Sequence, residues 1–205
     1  MFSALMRRMH KSVYDSRIRA LVEVICPHLE TADRVLDVGC GTGALGRALM
    51  EAPACPPEVH VEGLERVRRG NEAIVVHEYD GVTMPMPDES VDVVMLADVI
   101  HHEADPLRLL SEARRVARRI VIIKDHRLGA PFAQQRISLL DWAANAPYGV
   151  PCLYRYNTLH QWTQWYKQLG LGVKQEMTSM KLYPPAYNWF FGNRLQYFAV
   201  LSPAR

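Results

Sequence analysis

Cysteine is scarce in this 205-residue chain, and the four present (Cys26, Cys40, Cys55 and Cys152) are scattered. None forms a C-x-x-C pair, so the pattern predicts neither a zinc site nor a disulfide framework, and it fits a reduced, cytoplasmic setting. No apolar run approaches the roughly 20 residues of a membrane-spanning helix. The opening Met1-to-Met9 stretch is mildly apolar with two arginines. It lacks the continuous apolar core and small-residue cleavage site of a secretion signal, so no stable membrane association is expected. A surplus of one charge is missing as well: 24 Lys and Arg against 22 Asp and Glu leave a formal +2. That balance is too even for a nucleic-acid footprint. Internal repeats and low-complexity tracts are also absent.

What is present is a core: 49% of the residues are hydrophobic, and the length suits one α/β domain with a small addition, spanning residues 1–205. The stretch that organises it is Arg34-Val35-Leu36-Asp37-Val38-Gly39-Cys40-Gly41-Thr42-Gly43-Ala44-Leu45. Val35, Leu36 and Val38 read as a buried strand. Glycines at alternate positions let the backbone turn sharply and approach a ligand, and a helix follows from Ala44 to Met50. Strand, glycine turn and helix N-terminus together make a nucleotide-binding corner. Gly41 to Gly46 is a literal G-x-G-x-x-G, the dinucleotide fingerprint. That fingerprint should begin where the strand ends, and here the strand already ends at Gly39. Asp37 is costly inside a strand unless something pairs with it, a need that a dinucleotide turn does not have.

The string resembles motif I of the class I S-adenosylmethionine (AdoMet)-dependent methyltransferases, V-L-D-x-G-x-G-x-G. AdoMet carries an amino group and a sulfonium, so an acid beside the turn suits it. Further along, Met84-Pro85-Met86-Pro87-Asp88-Glu89-Ser90 resembles the family's lead into strand four. Asp98-Val99-Ile100-His101-His102 resembles the D-V-L-H-H of the type 11 subgroup. The resemblance implies a Rossmann-like, doubly wound seven-stranded α/β sheet, mostly parallel, in the order 3-2-1-4-5-7-6 with the last strand antiparallel. It also implies AdoMet as cofactor, with Asp37, Gly39, Cys40, Gly41 and Gly43 at its turn and Ala97 and Asp98 at the end of strand four.

In order along the chain, Ser12 to Leu29 is an amphipathic helix by its spacing of Ile18, Leu21, Val22, Ile25 and Leu29. Residues 1–30 are expected to form a helical lid, as in the family. Val59 to Glu65 alternates as strand two. Glu65 stands at its end, about 20 residues after the glycine turn, where a nucleotide fold places an acid on the ribose hydroxyls. Glu62 lies three residues early. Ile74 to His77 reads as strand three, with Asp80 and Gly81 matching the family's adenine-side acid and backbone N–H. Val91 to Ala97 is a nearly all-apolar strand four, as burial on both faces demands. Pro106 to Arg118 is a helix, whose arginines read as a solvated face near a helix C-terminus. Ile120 to Lys124 is strand five. Residues 131–170 form an insertion on the acceptor side: a helix from Pro131 to Ala144, a loop of prolines and tyrosines, and a second helix opened by the capping box Thr158-Leu159-His160-Gln161. Val173 to Leu182 and Leu195 to Leu201 are the last strands, joined through Tyr183 to Tyr187.

His101, His102 and His126 are the candidate bases, near-neutral titrators at predicted strand ends. Trp142, Tyr148, Tyr154, Tyr156, Trp189 and Phe190 are candidates to wall an acceptor. The reading is methyl transfer to an oxygen, nitrogen or carbon of a small molecule by in-line displacement, in a monomer or homodimer. No metal is assigned and no nucleic acid is expected as partner. Alternatives are a nucleic-acid (tRNA) methyltransferase, a non-catalytic partner subunit of the same fold, and a peripheral enzyme anchored through its start. Metal-assisted O-methylation is a further one, with Asp98, Asp125 and His126 meeting across strands four and five.

Overall fold

The computed structural model describes residues 2–145 and 152–203, with side chains from residue 12 onward. The helix α1 runs Phe2–Ile25 and ends in a 3-10 turn at Cys26–His28. The strand β1 is Arg34–Val38, exposed only at its first residue and buried thereafter, and the glycine turn feeds α2 at Ala44–Glu51. Then come β2 (His60–Glu65), β3 (Val76–Glu78) and β4 (Val91–Ala97). These are followed by α3 (Pro106–Val116), β5 (Ala117–His126) and α4 (Ala133–Asn145). The chain closes with α5 (Leu159–Leu169), β6 (Leu171–Met177), α6 (Pro185–Phe191) and β7 (Gln196–Pro203).

The seven strands form one sheet in the order β3-β2-β1-β4-β5-β7-β6. The first five are parallel, and β7 runs antiparallel to both β5 and β6. The seven-stranded sheet expected from the resemblance is therefore present, antiparallel β7 included. The strand order reverses between β1 and β4. In open α/β sheets the carboxyl-end crevice at such a switch point is where ligands bind, and the site described below opens there.

Each face of the sheet carries its own core. On one face Leu110, Val116, Trp162 and Tyr166 of α3 and α5 pack on β4, β5 and β7. Trp162 stacks on Tyr197 with ring centroids 5.1 Å apart and 9° between planes. On the other face Leu21 and Ile25 of α1 join Leu45 and Leu49 of α2. The capping box opens α5 as read: Thr158 Oγ1 accepts the Gln161 N–H, and Gln161 Oε1 accepts the Thr158 N–H at 2.8 Å. Gly170, in the left-handed region at φ 63°, closes that helix.

Four sequence expectations change. Cys26 and Cys55 are disulfide-bonded, with Cα atoms 4.7 Å apart. The end of α1 and the loop after α2 meet on one face of the sheet, a tertiary encounter that spacing could not show. The bond removes the argument that cysteine usage gave for a reducing setting. The segment read as a plain link between the last strands contains α6, because Pro185 at the first helical turn starts a helix rather than blocking it. The sixth strand begins at Leu171, directly after the Gly170 cap, and ends at Met177. Finally, the arginines read as a solvated face divide: Arg114 and Arg118 are exposed, Arg118 pairing with Asp92, whereas Arg115 is half-buried against Glu112 and Asp88. No helix among the described residues is long and apolar enough to cross a membrane.

Candidate active site

The glycine turn is built as its sequence requires. Gly39 and Gly43 sit at φ +69° and +72°, where L side chains are strained. Space forbids a side chain as well: a Cβ on Gly39 would stand 2.5 Å from Val99 Cγ2, and one on Gly43 2.5 Å from Ile74 Cγ1. Glu65, at the end of β2, accepts the Gly41 N–H at 2.7 Å, so its carboxylate braces the turn.

Above the turn lies a cavity of about 750 Å³. Asp37, Gly39, Cys40, Gly41 and Thr42 floor it; Val13, Tyr14, Arg17 and Ile18 of α1 form one wall. Ala97, Asp98, His101, His102 and His126 come from the carboxyl ends of β4 and β5, and Leu140, Asp141, Ala144 and Asn145 from α4. Of the predicted site residues, Gly43, Glu65, Asp80 and Gly81 do not line it. The Asp80 carboxylate is exposed and accepts the Val82 and Thr83 N–H groups at 2.7 and 2.8 Å. Among the predicted aromatics, Trp142 and Trp189 project into solvent, 55% and 79% exposed, and Tyr154 is also exposed. Tyr156 is buried behind the wall, and Tyr148 lies outside the described residues.

Two charged networks line the cavity. In the first, Asp98 at the end of β4 has φ +60°, an unusual backbone for a non-glycine residue. Lys124 Nζ donates to its Oδ1 at 2.5 Å, and Arg17 donates to its Oδ2 through Nε at 3.2 Å and Nη2 at 2.6 Å. Burial opposes ionisation of Asp98, but Lys124 and Arg17 outweigh it and hold the carboxyl well below its usual range. Asp37 is only 2% exposed, and no cation among the described residues hydrogen-bonds to it. Burial pushes it up to about 7, with Arg17 pulling back and Glu65 adding to the rise.

The second network surrounds His101. Its Nδ1 meets Asp125 Oδ1 at 2.7 Å, which turns Nε2 toward Asp141 Oδ1, 3.6 Å away. His102 Nε2 lies 3.5 Å from the same oxygen. Tyr156 donates its hydroxyl to Asp141 Oδ2 at 2.9 Å, and Asn145 Nδ2 donates to Oδ1 at 2.7 Å. Burial alone would lower the His101 pKa, but Asp125 and then Asp141 push it up to about 10. His126 goes the other way: burial and the neighbouring Lys124 charge lower it to about 3. The equal, near-neutral titrators of the sequence reading thus separate into a protonated His101 and a neutral His126.

Arg17, Lys124 and Asp141 were not singled out by sequence reasoning; Tyr183, at the head of the segment from Tyr183 to Phe191 that was expected on the acceptor side, lines the cavity. A lysine in a run of isoleucines carries the same signal as Asp37, a buried charge that needs a partner. Arg17 lies one turn from both Val13 and Leu21, on the inward side of α1.

Residues 8–176 match the family model described as a methyltransferase domain. The chain is 34% identical over 103 residues to 27-O-demethylrifamycin SV methyltransferase of Amycolatopsis mediterranei, covering 44% of this chain and 36% of that protein. It is 31% identical over 111 residues to dimethylglycine N-methyltransferase of Parasynechococcus marenigrum, covering 50% of this chain and 39% of that protein. Each match therefore spans well under half the length of the curated relative. Among solved structures, a chain from the complex between the Haloferax volcanii Trm112 methyltransferase activator and a methyltransferase superposes with a TM-score of 0.67 at 16% identity. The superposition covers 100% of this chain and 95% of that one, and it is a likeness of fold.

Proposed function

The chain belongs to the methyltransferase-domain family, and from that premise we propose that it transfers a methyl group from AdoMet to an oxygen, nitrogen or carbon of a small molecule held in the cavity. The observation that carries this reading is the shared cavity itself. The glycine turn and Asp37 open on the same 750 Å³ space as His101, His126 and Asp141, a volume within the range of small-molecule sites. The fit to the donor is physical. The turn leaves no room for side chains at Gly39 and Gly43, so Gly39 and Gly41 face the cavity as bare backbone, their N–H groups given to Leu64 and Glu65. Asp37 is a buried carboxylate poised near pH 7, and a ligand cation would complete it.

When bound, AdoMet supplies the electrophilic methyl on its sulfonium. The chain's own residues hold the two partners together and shield them from water. Gly39, Cys40 and Gly41 present backbone to the donor. Asp37 receives its positive charge, while Glu65 serves it indirectly by bracing Gly41. The walls of α1 and α4 confine the acceptor. Of the cavity histidines His101 and His126, His126 is uncharged at pH 7, but burial and the Lys124 charge hold it at about 3, so it can accept a hydrogen bond from an acceptor hydroxyl or amine and is a weak proton acceptor. His101 already carries its proton and orients its surroundings.

Calorimetry with S-adenosylhomocysteine and with NAD tests the cofactor. Binding of the former and none of the latter is expected; tight NAD binding without the former overturns the reading. Turnover against phenols, amines and carboxylates, read as homocysteine after coupling, then assigns the acceptor class.

A further inference from the structure

We propose that His101 Nε2, His102 Nε2 and Asp141 Oδ1 bind one divalent ion of the zinc class at the wall of the cavity, with a coordination position left open to the acceptor. The spacing is the first support. Zinc bonds to imidazole nitrogen and carboxylate oxygen run roughly 2.0–2.2 Å, so neighbouring ligand atoms of a tetrahedral site stand about 3.3–3.5 Å apart. The two histidine nitrogens lie 3.6 and 3.5 Å from the Asp141 oxygen, and the three residues each bring one donor atom within 4.8 Å of the others.

The second support is what stands behind the ligands. A metal-binding histidine usually gives its other ring N–H to a carboxylate, which fixes the tautomer that leaves the ligating nitrogen free. Asp125 does this for His101 at 2.7 Å, in a place where both side chains are only 2% exposed. Asp141 is positioned in turn by the Tyr156 hydroxyl on its other oxygen. Asn145 donates to the ligating oxygen, but a carboxylate oxygen keeps a further lone pair for an ion.

A neighbouring triad, Asp98, His101 and His126, also brings three donor atoms together. It is the poorer site, because Lys124 and Arg17 already occupy both oxygens of Asp98 and their charges would repel an ion there. The set of two nitrogens and one oxygen selects against Mg²⁺ and Ca²⁺, which take oxygen ligands. With His101, His102 and Asp141 all facing the cavity, the open position suits an acceptor that carries a hydroxyl or phenolate oxygen. That use rests on the methyl-transfer reading, whereas the existence of the site does not.

The test therefore reads the metal alone. The untagged 205-residue chain is titrated with Co²⁺ and followed by visible absorption, then back-titrated with Zn²⁺. One equivalent of Co²⁺ with d–d bands, displaced by Zn²⁺, is expected. Asp141→Asn and His102→Gln should each abolish the bands. Tyr156→Phe, the mildest change, should weaken binding roughly 10–100-fold, as loss of an outer-shell partner does. His126→Gln should leave the metal in place. S-adenosylhomocysteine calorimetry on every variant reports whether the cofactor corner is intact, so failure of the metal site and failure of the methyl-transfer reading are separable. The proposal is overturned by no stoichiometric binding in the parent protein, by bands that survive both Asp141→Asn and His102→Gln, or by bands lost in His126→Gln but kept in Asp141→Asn. Thiolate charge-transfer absorption, which would place the ion on cysteine, overturns it equally.

Discussion

Asp37 gives the sharpest quantitative expectation. Its pKa in the free protein is about 7, against an ordinary value near 3.8. The groups acting on it are Arg17 from α1, which favours its charge, and Glu65 from β2, which opposes it. A cationic ligand placed beside Asp37 stabilises the carboxylate, so binding draws a proton off. Affinity should then be flat above pH 7 and fall as pH drops below it. The limit is tenfold, or about 1.4 kcal/mol, per pH unit, for as long as the bound-state pKa stays below the experimental pH. Between pH 7.5 and 5.5, a range in which the ligand's amino group stays protonated, the expected loss in S-adenosylhomocysteine affinity is on the order of 10–30-fold. Calorimetry in buffers of different ionisation enthalpy should show net proton release near pH 6. For stability the sign is opposite. A carboxyl whose folded pKa is raised costs the free protein stability increasingly from pH 4 to 7, up to about 4 kcal/mol. Asp37→Asn should therefore melt higher than the parent at pH 8 without ligand, lose that advantage by pH 4, and bind S-adenosylhomocysteine with no acid limb. Affinity that stays flat from pH 5.5 to 7.5 in the parent protein would refute the reasoning.

Gly39→Ala adds a Cβ 2.5 Å from Val99 Cγ2 at φ +69°. It should cost about 1–3 kcal/mol of stability and abolish cofactor binding by calorimetry, whereas normal binding would show that the turn does not approach the ligand. The Cys26–Cys55 bond closes a loop with a sequence separation of 29, worth roughly 3–4 kcal/mol on loop entropy. Reductant, or Cys55→Ser, should lower the melting temperature by several degrees, and a melt insensitive to both would mean that the bond contributes nothing in solution.

How much of this was legible depended on whether a residue's environment is local. β4 was readable to the residue, because an apolar run bounded by Ser90 and Asp98 admits one assignment. The α5 cap was readable because all of its partners lie within four residues. The order of the strands came from resemblance and not from periodicity. α6 was missed because the stretch from Tyr183 to Tyr187 read only as a join between strands, although proline at a first turn starts a helix. The site was half legible. Residues that make the turn announce themselves through backbone need, and Asp37 through its misfit in a strand. Arg17 and Asp141 sit on helices, where a charge is read as outward by default, and only the fold shows them turned to the cavity. The histidines were found but not their protonation, since that depends on Asp125, Asp141 and Lys124 meeting them in space.

The same distinction bears on α1. Read as an amphipathic helix, it had one apolar stripe to bury, and a helix held only by such a stripe can act as a lid that lifts. The structure adds Arg17, whose guanidinium grips Asp98 with both side chains 19% exposed. Loss of one partner from a fully buried pair costs about 3–5 kcal/mol, and an exposed pair contributes at most about 1; this one lies between. Leu21 and Ile25, fully buried beneath it, add roughly 1.5–3 kcal/mol each. Lifting the helix from Val13 to Ile25 would forfeit all of these at once and leave Asp98 with Lys124 alone. It would also remove the cation that restrains the pKa of Asp37. A lid motion of residues 1–30 that includes Val13 to Ile25 would therefore have to release Arg17 from Asp98 together with the apolar stripe.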